Sequence, residues 1–407
     1  MHTPALKTAV AAALLACCLA PRGLPAQAAL DTAFMRHVAE MARQRATALM
    51  PAPTQPENQR VVQQYRSALT DLNAGKWSDA ATALLAVLQR APTNPLYRGD
   101  LAYAYLMRGQ YDPAATEYTR AYQAQQQNGW FVIGLGLVKA SQRQFGDAAG
   151  AAELAASTDS SVVDSAMASV ATGWFEAAGD RARALHWAHL AVQKSPGDAT
   201  AWLRIASYLS QANDTTPEGM AAIRRYRALR PDDKLGQAMY AKYLYDAGQQ
   251  DSAIAIAQAV AADSSFRPFA ASVLLQAAGV QLRRDAQRTI QLVTIGQPWA
   301  DSSQRATYSN ILGRAQLRLL GPLQNHFEAY PSCDTARVLD TLSAAADRNL
   351  RAGQSFDSVR TRMMIDTILP PYRANAASAL RSCRTPAQLA QPQRRPAARP
   401  APARPRP

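Results

Sequence analysis

The chain has 407 residues, of which 48% are hydrophobic, and its 44 Lys and Arg against 30 Asp and Glu give a formal net charge of +14. The apolar content supports a sizeable core and excludes wholesale disorder. Charged residues, at 18%, are too few for a chain that nucleic acid covers along its length, and four cysteines are too few for a disulfide-built scaffold.

The first 28 residues have the pattern of a secretory signal peptide. Residues 9–20 form an uncharged apolar run, and Ala26-Gln27-Ala28 is a small-x-small cleavage site. Because this run is shorter than the roughly 20 residues that span a membrane, we predict export without a transmembrane span, to the periplasm or the medium. An alternative stays open, since residues 14–17 resemble a bacterial lipobox, in which Cys17 would carry a lipid anchor at the outer membrane.

Residues 29–60 form the first segment of the predicted mature protein. The pattern over Asp31 to Met50 predicts a leading helix, and the proline-rich run from Pro51 to Pro56 predicts a connector. This segment therefore precedes the organised part of the chain and belongs to none of its repeats.

A 34-residue period follows the connector. Aromatic, small and glycine positions recur with this spacing, as in Trp77, Tyr111 and Phe145, in Ala80, Ala114 and Ala148, and in Gly75 and Gly109. These are the positions that the tetratricopeptide repeat (TPR) conserves in a unit of the same length, and the chain resembles that family. In each unit, helix A ends at the glycine, which adopts a left-handed turn without steric cost, and helix B follows.

The TPR resemblance covers about residues 61–300 and six or seven units. It implies an all-α fold, a right-handed superhelix of helix-turn-helix repeats known as an α-solenoid. Residues 301–383 are predicted to be helical without a clear repeat, and we expect this helical C-terminal domain to cover the last unit. Residues 384–407 are mostly Pro, Ala and Arg, and their composition predicts disorder.

The resemblance also implies a site. TPR repeats usually bind peptides or helices of other proteins in a concave groove lined by the A helices, and here that groove is apolar, suited to an amphipathic helix or an extended apolar segment. The alternative is that the chain's own helix over residues 31–50 occupies the groove. The predicted partner-binding residues are Val62, Tyr65, Leu69, Leu96, Leu106, Met107, Trp130, Ile133 and Leu137.

Motifs for catalysis are missing from the sequence. It contains no Walker loop, no Gly-x-Ser-x-Gly, no His-Glu-x-x-His and no Cys-x-x-Cys. His186 and His189 share a helix face, but no third ligand lies close in sequence. We therefore predict no catalytic residue, no metal and no cofactor; the less favoured alternative is an enzyme with an unrecognised site in residues 301–383.

Cys333 and Cys383 are the cysteines that remain after cleavage of the signal peptide. They flank one helical block, and in an oxidising compartment this arrangement predicts a disulfide. The alternative is a pair of free or buried thiols.

The positive charge is concentrated at the two ends of the chain. Removal of the two bases of the signal peptide and the six arginines of the tail reduces the net charge from +14 to +6 for residues 29–383. A body with so modest a charge predicts no nucleic-acid partner. We expect a scaffold for protein–protein interaction in the cell envelope, with an unidentified protein or peptide partner. The alternative is a binder of acidic polymer that acts through the basic tail.

Overall fold

The computed structural model of the protein describes residues 31–50, 59–211 and 217–383. The signal peptide with Cys17, the connector at 51–56 and the tail at 384–407 lie outside the described residues, so the predictions for them stay predictions. Within the described residues, the regular secondary structure is helical throughout, which confirms the all-α fold class.

The chain forms two compact units, which among the described residues comprise 31–249 and 250–383. In the first unit, a leading helix precedes a series of helix pairs, and each helix packs on the next in the chain. The helices are α1 (Thr32–Leu49), α2 (Gln59–Asn73), α3 (Trp77–Arg90), α4 (Pro95–Met107), α5 (Tyr111–Ala124), α6 (Gly129–Ser141), α7 (Phe145–Thr158), α8 (Ser165–Ala177), α9 (Arg181–Lys194), α10 (Ala199–Gln211), α11 (Pro217–Leu229) and α12 (Lys234–Asp246).

The helix pairs follow the period read from the sequence. The alanines at 80, 114 and 148 are fully buried, which lets helices A and B approach closely. Gly134 has the same role between neighbouring pairs, since a Cβ atom there would overlap the ring of Tyr118. Burial of that ring raises the pKa of Tyr118. Small residues at fixed positions thus set the spacing of the array.

The turn between helices A and B requires a left-handed backbone. Gly75 and Gly109 adopt it with φ of 74° and 70°, and Arg143 takes the equivalent place in the third pair with φ of 62°. An L-residue with a side chain pays about 1–2 kcal/mol for that conformation, whereas glycine adopts it freely. The third pair therefore carries local strain that the first two lack.

Arg143→Gly is accordingly expected to stabilise the protein by about 1 kcal/mol in chemical denaturation, because it removes this strain. Gly109→Ala is the matched control. A Cβ atom at Gly109 would meet nothing within 4 Å, so we expect a loss of about 1 kcal/mol from the backbone alone. Changes of the same sign in both variants would contradict the assignment of strain to Arg143.

The second unit begins at residue 250, within the sixth predicted repeat, whereas the sequence-based boundary was placed after residue 300. Its long helices lie in the block that the sequence predicted to be helical without a repeat. The helices are α13 (Gln250–Val260), α14 (Arg267–Gln281), α15 (Ala286–Gly296), α16 (Ser302–Ala329), α17 (Cys333–Ala352), α18 (Ser358–Met363) and α19 (Leu369–Ser382), with a π-helical turn at Met364–Ile368.

A disulfide joins the first residue of α17, Cys333, to Cys383 directly after α19. The two Cα atoms are 5.7 Å apart, well within the span that a disulfide bridges. Helix α17 packs against α16 and α19, and these three helices bury one apolar cluster of Leu320, Leu339, Ala346, Leu369 and Ala376. The bond therefore fastens the end of the described chain to the helix on which α19 packs.

No helix among the described residues has the length and hydropathy that a membrane span needs.

Candidate protein-binding groove

Helix α1 has one apolar face and one polar face. It starts at Asp31, whose side chain accepts a hydrogen bond of 2.8 Å from the backbone N–H of Ala33. Arg36, Glu40 and Gln44 are exposed. The opposite face packs against α4 and α6, which are the A helices of the second and third pairs. The buried residues of this face are Phe34, Met35, Val38, Ala39, Ala42 and Ala46.

Helix α1 thus packs on the two A helices that carry six of the nine residues predicted to line the groove. The imidazole of His37 meets the indole of Trp130 edge to face, with ring centroids 5.4 Å apart. An amphipathic helix that is covalently attached beside an apolar groove gains hydrophobic burial by entering it. These contacts agree with the alternative in which the chain's own helix lies in the groove, and the binding of a partner there stays a prediction. Of the nine predicted residues, Leu106, Trp130, Ile133 and Leu137 are buried, and Val62, Tyr65, Leu69, Leu96 and Met107 are partly buried.

A buried carboxylate anchors the middle of α1. The Oδ1 atom of Asp100, on α4, accepts a hydrogen bond of 2.8 Å from Nη2 of Arg43, and Oδ2 accepts bonds from Nε of Arg43 at 3.2 Å and from the hydroxyl of Tyr65 at 2.6 Å. Asp100 is only 2% exposed. Burial and the charge of Asp100 raise the pKa of Tyr65. Although burial acts to lower the pKa of Arg43, its attraction to Asp100 holds it above the ordinary value.

Two further carboxylates hold α1 on its other side. The Oδ2 atom of Asp159 accepts a bond of 3.0 Å from Nε of Arg45, and the Oδ2 atom of Asp164 lies 2.7 Å from Nε2 of His37. The Oδ1 atom of Asp159 accepts from the N–H of Ser161, and that of Asp164 caps α8. Each of these side chains thus orders its own turn and binds a basic residue of α1.

Two amide side chains bind the backbone of α1. Asn128 donates from Nδ2 to the carbonyl of Ala42 at 3.0 Å, and Gln125 donates from Nε2 to the carbonyl of Ala46 at 3.1 Å. The N–H of Met50 bonds to the carbonyl of Thr47, so Gln125 supplies a donor for a carbonyl at the helix end. Both carbonyls belong to alanines, Ala42 and Ala46, which lie on the buried face of α1.

Sequence reasoning missed the polar residues of the groove. Only the position of Asp100 could have indicated its role. It lies in the middle of an A helix, where a carboxylate cannot cap the helix end, and a carboxylate buried there needs a partner. Asp159 and Asp164 gave no signal, because their positions next to turns already account for a carboxylate there. The missed residues are Asp100, Gln125, Asn128, Asp159 and Asp164.

The buried hydroxyls make a prediction for alkaline pH. Burial, assisted by Asp246, raises the pKa of Tyr245 to about 12, against about 10 for an exposed tyrosine. A phenol whose pKa is raised by folding binds its proton more tightly in the folded state. Its stabilisation is therefore complete below about pH 10 and is lost as the pH rises. The other tyrosines with raised pKa values are Tyr65, Tyr103, Tyr118, Tyr208, Tyr226 and Tyr308.

We therefore expect these tyrosines to leave the free energy of unfolding unchanged between pH 8 and about pH 10. Above about pH 10 it should fall by up to about 1.4 kcal/mol per pH unit for each such tyrosine. Urea denaturation at a series of pH values, with absorbance of tyrosinate at the same pH, measures this. Ionisation of every tyrosine near pH 10 in the folded protein would contradict the expectation.

The alternative of an enzyme in residues 301–383 gains no support from the geometry there. A surface depression is lined by Ser358, Val359, Arg362, Met363, Asp366 and Thr367. All six come from α18 and the π-helical turn that continues it, so no second element contributes a group. Catalytic sites bring groups from several elements to one point.

The described residues contain no cluster of three or more His, Cys, Asp or Glu that could hold a metal ion. His189 instead lies with its Nε2 3.1 Å from Oε1 of Glu218 on α11. His189, one of the two histidines that share a helix face, thus lies in an exposed pair with a glutamate.

The helix pairs, their period and their left-handed turns define the class of this protein as a TPR-like helical repeat protein. No protein-family model matches the sequence, and no curated protein matches it.

Solved structures that are similar to part of this chain include two that are described as TPR proteins. The crystal structure of MamA is 15% identical and covers 40% of this chain and 94% of its own, with a TM-score of 0.37. YrrB, described as a TPR protein with an unusual peptide-binding site, is 16% identical and covers 42% of this chain and 88% of its own, with a TM-score of 0.37. A TPR protein from Parabacteroides merdae is 12% identical and covers 63% of this chain and 99% of its own, with a TM-score of 0.39.

Proposed function

We propose that this protein is an exported, non-catalytic scaffold that binds a helical segment of another protein in the groove lined by α2, α4 and α6. The observation that carries the proposal is that this groove already holds a helix, α1, by burying its apolar face. Hydrogen bonds to two carbonyls of α1 recognise the helix by its backbone. Ion pairs from Asp100 and Asp159 set its position.

Export is supported by two independent features. The first 28 residues have the n-region, apolar run and cleavage site of a signal peptide. The disulfide between Cys333 and Cys383 is of a kind that persists in oxidising compartments and is rare in the cytosol. Together they favour the cell envelope or the medium as the place where the scaffold works.

Mass spectrometry of the mature protein after cell fractionation tests the export. We expect a soluble exported protein that starts at Ala29. A diacylated N-terminus at Cys17 would instead establish the lipid-anchored alternative. A full-length chain that starts at Met1 and remains in the cytosol would overturn this part of the proposal.

Photo-crosslinking in the native cells tests the scaffold function. A photoreactive amino acid is placed at Leu69 or Leu96, two partly buried groove positions, and, as matched controls, at Leu85 or Leu154, which are 45% and 49% exposed on B helices. We expect discrete crosslinks to another protein from the groove positions and none of the same mass from the controls. Identical products from both sets, or none from the groove, would count against a groove that binds partners.

A further inference from the structure

The floor of the groove carries negative charge that α1 neutralises. The side chains of Asp100 and Asp159 are only 2% and 3% exposed. Without α1, Asp100 keeps a single donor, the hydroxyl of Tyr65, and Asp159 keeps the N–H and hydroxyl of Ser161. Buried carboxylates without a counter-charge are strongly destabilised. A ligand that replaces α1 therefore has to bring positive charge to the same two places.

The register of α1 shows where those charges must stand. Ala39, Ala42 and Ala46 form a ridge of small residues that faces the groove. Arg43 and Arg45 are two residues apart, which is about 200° around a helix. They therefore lie on opposite flanks of the ridge, and they pair with Asp100 of α4 on one side and with Asp159, after α7, on the other. An Arg-x-Arg pair astride a small-residue ridge thus fixes the helix in one position.

Apolar burial holds α1 on the array, and these polar contacts fix its position there. Three of its six buried residues are alanines, and the remaining apolar anchors lie in its first two turns. Its second half, from Ala39 onward, is held by arginines and by the amides of Gln125 and Asn128. A segment of this composition is exchangeable, because a competitor with the same charges regains most of its contacts.

On the basis of the proposed function, we infer that the partner is a basic amphipathic helix with two arginines two residues apart, astride a ridge of small residues. We further infer that α1 is its competitor within the chain. Helix α1 is linked to the array by only the residues between 50 and 59, so it occupies the groove at high effective concentration. An external helix must displace α1, and the groove is thereby kept closed until a matching partner is abundant.

A synthetic, fluorescently labelled peptide of residues 31–50 is the probe for this exchange. It is titrated into the wild-type chain and into the full-length Arg43→Ala/Arg45→Ala variant, in which the internal helix lacks its ion pairs. We expect the peptide to bind the variant at least about ten-fold more tightly than the wild type, because the internal competitor is weakened. A peptide that carries the same two alanines should bind the variant at least about ten-fold more weakly than the wild-type peptide.

The outcomes separate the inference from the proposed function. If the wild-type peptide does not bind the folded variant, or binds equally well without its arginines, the inference is overturned, whereas crosslinks from Leu69 or Leu96 would still support the scaffold. If the variant self-associates in sedimentation, the occupant is α1 of a second copy and an external partner is rejected. If the variant loses its helical circular dichroism, the Arg45→Ala variant replaces it. The same two differences in peptide affinity are then expected, each of them smaller.

Discussion

Asp100→Ala is expected to lower the free energy of unfolding of the first unit by about 3 kcal/mol and to loosen α1 from the groove. The carboxylate of Asp100 accepts hydrogen bonds from Nε and Nη2 of Arg43 and from the hydroxyl of Tyr65. Its removal leaves a partly buried cation and a partly buried phenol without their acceptor, and each such loss is costly. Chemical denaturation followed by circular dichroism measures the stability, and limited proteolysis of residues 32–49 measures the release.

Glu40→Ala is the matched control for this variant. Glu40 lies on the exposed face of the same helix, so its loss should change the stability by no more than about 0.5 kcal/mol. Asp100→Asn is a second variant that keeps the size of the side chain while removing its charge. If Asp100→Ala unfolded at the same denaturant concentration as Glu40→Ala, the ion pair would not be what holds α1.

Loss of the disulfide has a still larger expected effect, on the second unit. The bonded cysteines are 50 residues apart in sequence, and in the chain-entropy model closing a loop of that length stabilises by about 4 kcal/mol. The variant Cys333→Ser/Cys383→Ser should therefore unfold at a markedly lower temperature in the transition that belongs to residues 250–383. Differential scanning calorimetry of the mature protein measures this.

Reduction of the wild-type protein should reproduce the effect of the double variant, whereas reductant should leave the double variant itself unchanged. This comparison separates the bond from any packing that the cysteines contribute. Titration of two free thiols in protein that was folded without reductant would contradict the disulfide altogether.

The repeat period predicted much of the fold because TPR helices are built from local contacts. Each glycine turn and each alanine contact joins residues that are close in sequence, so their pattern is visible along the chain. The leading helix was located to within one residue at each end, predicted over 31–50 and found over Thr32–Leu49. The start of the second unit at residue 250 was not visible, because compactness depends on packing between helices and not on the phase of the repeat.

The groove was harder to predict because its polar contacts join distant residues. Arg43 and Asp100 are 57 residues apart, and Arg45 and Asp159 are 114 apart. The period shows which helices alternate in the array, but it does not show which other segment packs on them. The disulfide could be predicted although its cysteines are 50 residues apart, because Cys333 and Cys383 are the only cysteines of the sequence outside the predicted signal peptide.

The central claim is that α1 is a releasable ligand of the groove, which its ion pairs hold in one position. Hydrogen–deuterium exchange of the wild type and of Asp100→Asn tests it most directly. We expect the amides of residues 36–49 to exchange at least about ten-fold faster in the variant, because helix release costs less, while α4 and α6 keep their protection. Unchanged exchange in α1, or equal acceleration in all three helices, would show instead that α1 is a permanent part of the array and would contradict the claim.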